Sequence, residues 1–148
     1  MTENENIEQT QEIIYSEECD RLVEDALNLT GEESLNKFFD IINLYPDCDY
    51  AYIMVGCNYR ENLEYKKAIP YFEKAIEVNN IYTGLAYAEL GFCYEMLGNL
   101  KKTEDCYKKS IEINPENPIA KYYWADYLVH KEGDYYQAEP IAKSLVNE

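Results

Sequence analysis

Tyr87 to Pro115 reads YAELGFCYEMLGNLKKTEDCYKKSIEINP, which is an amphipathic helix, a turn at Gly98 and a second amphipathic helix. Sliding the sequence by 35 residues lays a second copy over it. Tyr52, Val55, Gly56, Tyr59, Ala68, Phe72, Ala75 and Asn80 fall under Tyr87, Leu90, Gly91, Tyr94, Thr103, Tyr107, Ser110 and Pro115. A period of this length marks stacked helix pairs, in which each unit buries its apolar face against the next. The two copies predict helices over 50–62 and 65–78, then 84–97 and 100–113, with Asn62 and Gly98 as C-terminal caps.

The pattern extends both ways. Cys19, Leu22, Val23, Ala26 and Leu29 recur at spacings of three and four, the stripe of a helix that ends near Gly31, a residue free to take the left-handed conformation. Leu35, Phe38, Phe39, Ile41, Ile42 and Leu44 form a second helix that stops before Pro46, because the residue preceding a proline avoids helical angles. Toward the C-terminus, Trp124, Ala125 and Leu128 stand where Leu90, Gly91 and Tyr94 stand, with one residue inserted before Gly133. Pro70 and Pro140 lie two periods apart in one slot. Proline is tolerated in the first turn of a helix, so both helices are expected to begin about one turn earlier. Residues 1–14 are polar and acidic and read as a frayed tail. Residues 15–148 read as one domain with repeats at 15–48, 49–83, 84–117 and 118–148.

The chain has 148 residues, 13 basic against 29 acidic, for a net charge of −16. Such a charge repels phosphate backbones and anionic membranes and favours basic partners, so nucleic acid and membrane are excluded as ligands. The acidity is concentrated: 13 of the acidic but 2 of the basic residues fall within 1–48. The cysteines Cys19, Cys48, Cys57, Cys93 and Cys106 are scattered, without a CxxC pair, and read as reduced packing residues rather than disulfides or a zinc site. With no leader-like start and no long apolar run, a cytoplasmic location is expected.

The pattern Y-x-x-L-G-x-x-Y…T-x-x-x-Y…P from Tyr87 to Pro115 resembles the tetratricopeptide repeat, whose motif is W-x-x-L-G-x-x-Y…A-x-x-x-F…P. The resemblance covers about residues 15–148. It implies an all-α, right-handed α-solenoid of about four antiparallel helix pairs. It further implies a non-catalytic module that binds a peptide or protein segment in the concave groove formed by the first helix of each pair. The alternative is a homo-oligomeric structural or scaffold module. Gly56 and Gly91 stand mid-helix, where glycine costs about 1 kcal/mol relative to alanine, so close helix contact must offset them.

Groove-facing slots counted from the motif fall on Ile53, Cys57 and Arg60, then Ala88, Phe92 and Glu95, then Tyr122 and Asp126. Cys19 and Val23 precede them, and Val129 follows. Such a floor suits a segment with apolar anchors and a basic residue near Glu95 or Asp126. The lysine and asparagine clamp by which some relatives hold a chaperone's C-terminal carboxylate is absent; Cys19, Val23, Met54, Leu85 and Glu89 occupy those slots. Tyr52, Tyr59, Tyr87, Tyr94 and Tyr107 match core slots, whereas Tyr122, Tyr123 and Tyr127 are expected to be exposed. His130 reads as a solvated helix-terminal residue, and Glu104-Asp105 and Asp47-Asp49 as solvated charge. No enzyme and no cofactor are expected.

Overall fold

The structure, a computed structural model, describes residues 17–132 and 135–146. Helix α1 is described over 17–27. It is followed by α2 (Gly31–Leu44), α3 (Asp49–Glu61), α4 (Tyr65–Val78), α5 (Thr83–Met96), α6 (Leu100–Ile113), α7 (Pro118–Tyr127) and α8 (Tyr135–Val146). No strand occurs among the described residues. The N-terminal tail and the turn residues Gly133 and Asp134 lie outside them.

The helix ends follow local chemistry. Asn117 caps α7 by accepting backbone N–H groups of Ile119 at 3.0 Å and Ala120 at 3.4 Å, with Pro118 at the first helical position. Gly31 (φ +59°) and Gly98 (φ +74°) take the left-handed conformation. Asn62 does not (φ −81°); the left-handed residue after α3 is Leu63, φ +61°, in the slot that Gly98 fills one period later. Helices α4 and α8 begin five residues before Pro70 and Pro140, a little over one turn, and α4 spans 65–78 as expected. Both prolines are exposed. The carbonyls they leave unpaired belong to Lys66 and Tyr136, also exposed, so water can take the lost hydrogen bond.

Each helix packs on its chain neighbours. In addition, α3 touches α5 and α5 touches α7, while the even helices make no comparable contacts with one another. The stack therefore bends with the odd helices on its inner side. The even helices carry the solvated ion pairs Lys74–Glu77, Lys109–Glu112, Lys108–Glu104 and Lys143–Glu139, spaced three or four residues apart as on any exposed helix face.

The mid-helix glycines make their close contact with aromatic rings of the partner helix. A Cβ on Gly56 would stand 2.6 Å from Phe72 Cε1, and one on Gly91 would stand 2.7 Å from both Cδ1 and Cε1 of Tyr107. Phe72 and Tyr107 are each 0% exposed. The ring of Tyr107 continues into α7, with centroids 5.9 Å from Tyr123, 6.5 Å from Trp124 and 5.9 Å from Tyr127. Tyr127, expected at the surface, is 1% exposed, and its hydroxyl donates to the Leu100 carbonyl at 3.2 Å. The inserted residue near the end of α7 appears as a π turn over Leu128–Glu132, the way a helix absorbs one extra residue without losing its axis.

Candidate functional site

On the inner side, three helices bring polar and aromatic groups together. Arg60, in the last turn of α3, points its Nη1 at Glu89 Oε2 on α5, 2.9 Å away. It also donates to the Tyr123 hydroxyl on α7 at 2.9 Å. Its guanidinium carbon lies 5.7 Å from the centroid of Phe92, and that ring stacks on Tyr123 at 5.2 Å and meets Tyr65 edge-on at 6.3 Å. A guanidinium can lie over a ring while its N–H groups reach a carboxylate and a phenol together.

The cluster is incompletely satisfied. The Arg60–Glu89 contact is an ion pair whose angles do not make a hydrogen bond, and both Glu89 Oε2 and Arg60 Nε are buried without a hydrogen-bond partner. Burial pushes the Glu89 carboxyl above the usual carboxylate range, against the opposing pull of Arg60. Burial, and then the charge of Glu89, raise the Tyr123 phenol to about 12. Burial likewise holds the thiols of Cys57 and Cys93 near 12. With so little thiolate at neutral pH, neither cysteine is suited to nucleophilic work.

The groove candidates divide by surroundings. Ile53 and Ala88, 1% and 0% exposed, are covered by neighbouring helices and offer no surface to a ligand in this structure. Cys57, Arg60 and Phe92 are partly exposed and belong to the inner cluster. Glu95 is half-buried, and its Oε2 accepts the Tyr107 hydroxyl at 2.6 Å, so from α5 it braces the aromatic seam between α6 and α7. Tyr122 is 58% exposed. Asp126 is half-buried, with Oδ1 3.1 Å from His130 Nδ1. Cys19, on α1, is buried in the core shared with α2 and α3. Asp49, read from sequence as solvated, is 3% exposed, and its Oδ2 accepts the Tyr82 backbone N–H at 2.9 Å, tying α3 to the loop before α5.

Tyr123 was not among the groove slots counted from the motif, and Glu89 entered only as a residue standing where the carboxylate clamp of some relatives would be. A signal for them exists: they lie 34 residues apart, in the same slot of successive pairs once Trp124 is aligned with Leu90. Both therefore project from the same position of an inner helix, toward the arginine that ends α3.

Comparisons with known proteins bear on the whole stack. Family models of the tetratricopeptide repeat match residues 50–82 and 84–117. Anaphase-promoting complex subunit 3 of Schizosaccharomyces pombe is 32% identical over 107 residues, covering 71% of this chain and 16% of that protein. A TPR repeat-containing protein of Methanocaldococcus jannaschii is 29% identical over 101 residues, covering 68% and 17%. The chain thus spans less than a fifth of these relatives' length. Among solved structures, MamA of Desulfovibrio magneticus superposes with a TM-score of 0.65 at 19% identity, over 87% of this chain and 74% of that one. A tetratricopeptide repeat protein of Parabacteroides merdae gives 0.58 at 25% identity, over 79% and 45%. With tandem matches in sequence and the same helix stack in space, the chain belongs to the tetratricopeptide repeat family.

Proposed function

We propose that the chain holds a segment of another protein along the inner face of α3, α5 and α7, as a binding module without catalysis of its own. As a tetratricopeptide repeat protein it is a protein–protein interaction module, and the inner face is the finer assignment. The observation that carries it is the mixed strip from Arg60 through Phe92 and Tyr123 to Tyr122 and Asp126. Half-exposed aromatic rings there flank a cation whose Nε lacks a hydrogen-bond partner. Rings supply contact area at low entropic cost. An apolar anchor would seat on Phe92 and Tyr122, and a basic residue would meet Asp126. The net charge of −16 favours basic partners at long range.

The test is affinity capture with mass spectrometry, comparing wild type with Phe92→Ala/Tyr122→Ala. The partners enriched on wild type are expected to be lost from the double variant. Recovery of the same partners at the same yield would remove the inner face from consideration.

A further inference from the structure

At the C-terminal end of the stack, α7 and α8 enclose a cavity of about 450 Å³ that opens to solvent and whose walls are mostly apolar. Its position is explained by the slot that closes the two preceding pairs. There the first helix offers glycine and the second an aromatic ring: Gly56 with Phe72, Gly91 with Tyr107. The helix that follows then packs over the ring, as α7 does over Tyr107. In the last pair the equivalent residues are Ala125 and Ala142, and both line the cavity. The methyl of Ala125 takes back a small part of the space, while the ring missing from position 142 frees far more. No described element covers the opening.

We propose that this end face docks a basic amphipathic helix of another protein, which seats one large aromatic side chain between Ala125 and Ala142. A helix is the fitting occupant because the face repeats the surfaces on which α5 and α7 already pack. A large anchor fits because the ring that fills this slot elsewhere must here come from outside. The basic character follows from the rim. Asp126 and Glu139 border the cavity, and their pairs with His130 (3.1 Å) and Lys143 (2.6 Å) are exposed and readily exchanged for a partner's cations. A second copy is a poor occupant. Its first helix carries Glu17, Glu18, Asp20, Glu24 and Asp25 against one arginine, and would set like charges against that rim. The site goes beyond the inner-face function and shares with it Tyr122, Asp126 and the groove slot Val129.

The experiment uses the full 148-residue chain and a fluorescein-labelled helical peptide of about five turns, with a central Trp, leucines at helical spacing and lysines along both edges. Fluorescence anisotropy should show binding that weakens about thirtyfold when Trp is replaced by Ala, the loss of one hot-spot anchor. Ala125→Gly/Ala142→Tyr recreates the pair found at Gly91 and Tyr107, fills the slot, and should abolish the preference for Trp. If that variant does not fold by circular dichroism, Leu145→Lys, which charges the cavity wall, should abolish binding of the Trp peptide. Equal binding of the Trp and Ala peptides to wild type, a Trp preference kept by the filled variant, or full affinity in Leu145→Lys would overturn the proposal. So would equal binding of a peptide with glutamates in place of its lysines. Binding lost in Phe92→Ala but kept in Ala125→Gly/Ala142→Tyr would place the peptide on the inner face, overturning this site and leaving the other standing. A concentration-dependent dimer in sedimentation velocity that disperses with Ala142→Tyr would make a second copy the occupant, and would also overturn it.

Discussion

Gly91→Ala adds one methyl group where α5 packs against the Tyr107 ring of α6. That methyl would stand 2.7 Å from two ring carbons of Tyr107 and 3.2 Å from Cβ of Cys106. Ordinary carbon contacts lie at about 3.5–4.0 Å, so the ring must retreat by nearly 1 Å or the helices must part. Tyr107 has nowhere to go. It is 0% exposed, its hydroxyl is held by Glu95 at 2.6 Å, and its other edges meet Tyr123, Trp124 and Tyr127. Overpacking a rigid site costs about 1–3 kcal/mol, and the immobile ring puts this case near the upper end. Alanine returns about 1 kcal/mol through helix propensity. The expected net loss is about 2 kcal/mol, read as a lower urea midpoint and a fall of about 4–8 °C in melting temperature.

The ring is the named cause, so a second background tests it. With Tyr107→Ala already present, adding Gly91→Ala should cost nothing or stabilise, because the last pair already combines Ala125 with Ala142. Gly84→Ala serves as a control. Its added methyl would find nothing nearer than 3.4 Å, and stability should change by less than about 0.5 kcal/mol. A Gly91→Ala protein as stable as wild type, or one with the same loss in both backgrounds, would refute the packing account.

Leu63→Gly should stabilise the protein by about 0.5–1 kcal/mol, since a non-glycine residue in the left-handed region costs about 1–2 kcal/mol and glycine's greater freedom in the unfolded chain takes part of that back. Leu63 is 72% exposed at φ +61°, so little packing is lost, and a lowered urea midpoint would contradict this. Glu89→Gln tests the buried carboxyl. Because burial raises its folded pKa above the ordinary carboxylate range, its favourable contribution is fully present below that range and is lost as pH rises through the folded value. The urea midpoint of wild type should therefore fall more steeply than that of Glu89→Gln as pH rises above the ordinary carboxylate range, and parallel profiles would show that Arg60 fully offsets the burial.

The helix stack was legible because its determinants are local and repeated. Glycine, proline and apolar spacing recur at one period, and each marks a turn, an end or a face without reference to the rest of the chain. Even the π turn had a sequence trace, as one residue too many between Leu128 and Gly133. The inner face was less legible because exposure depends on neighbours. Motif counting says which side of a helix faces inward, but Ala88 faces inward and is still covered, and Glu95 is taken up by the tyrosine of the next helix. Tyr127 looked free for the same reason, since the carbonyl that fixes its hydroxyl lies 27 residues away on α6. The Arg60–Tyr123 bond spans 63 residues and falls on no multiple of the period, so nothing periodic announces it.

The same economy explains why chemistry concentrates in two places. A slot that works as glycine against aromatic ring commits both residues to closing a pair, and wherever it operates the surface is used up in packing. Functional freedom is left where that rule lapses. On the inner side it lapses at Arg60, Glu89 and Tyr123, polar groups that no longer serve the core and that retain an unmet donor and an unmet acceptor. At the end of the stack it lapses at Ala125 and Ala142, where the closing ring is missing and apolar wall remains open. The two surfaces make different demands on a ligand: the first needs side chains that stack on half-exposed rings, the second needs volume with positive charge around it. A partner engaging both would need an extended segment for the inner strip and a helix for the end face, and Tyr122 and Asp126 are the residues at which one would pass into the other.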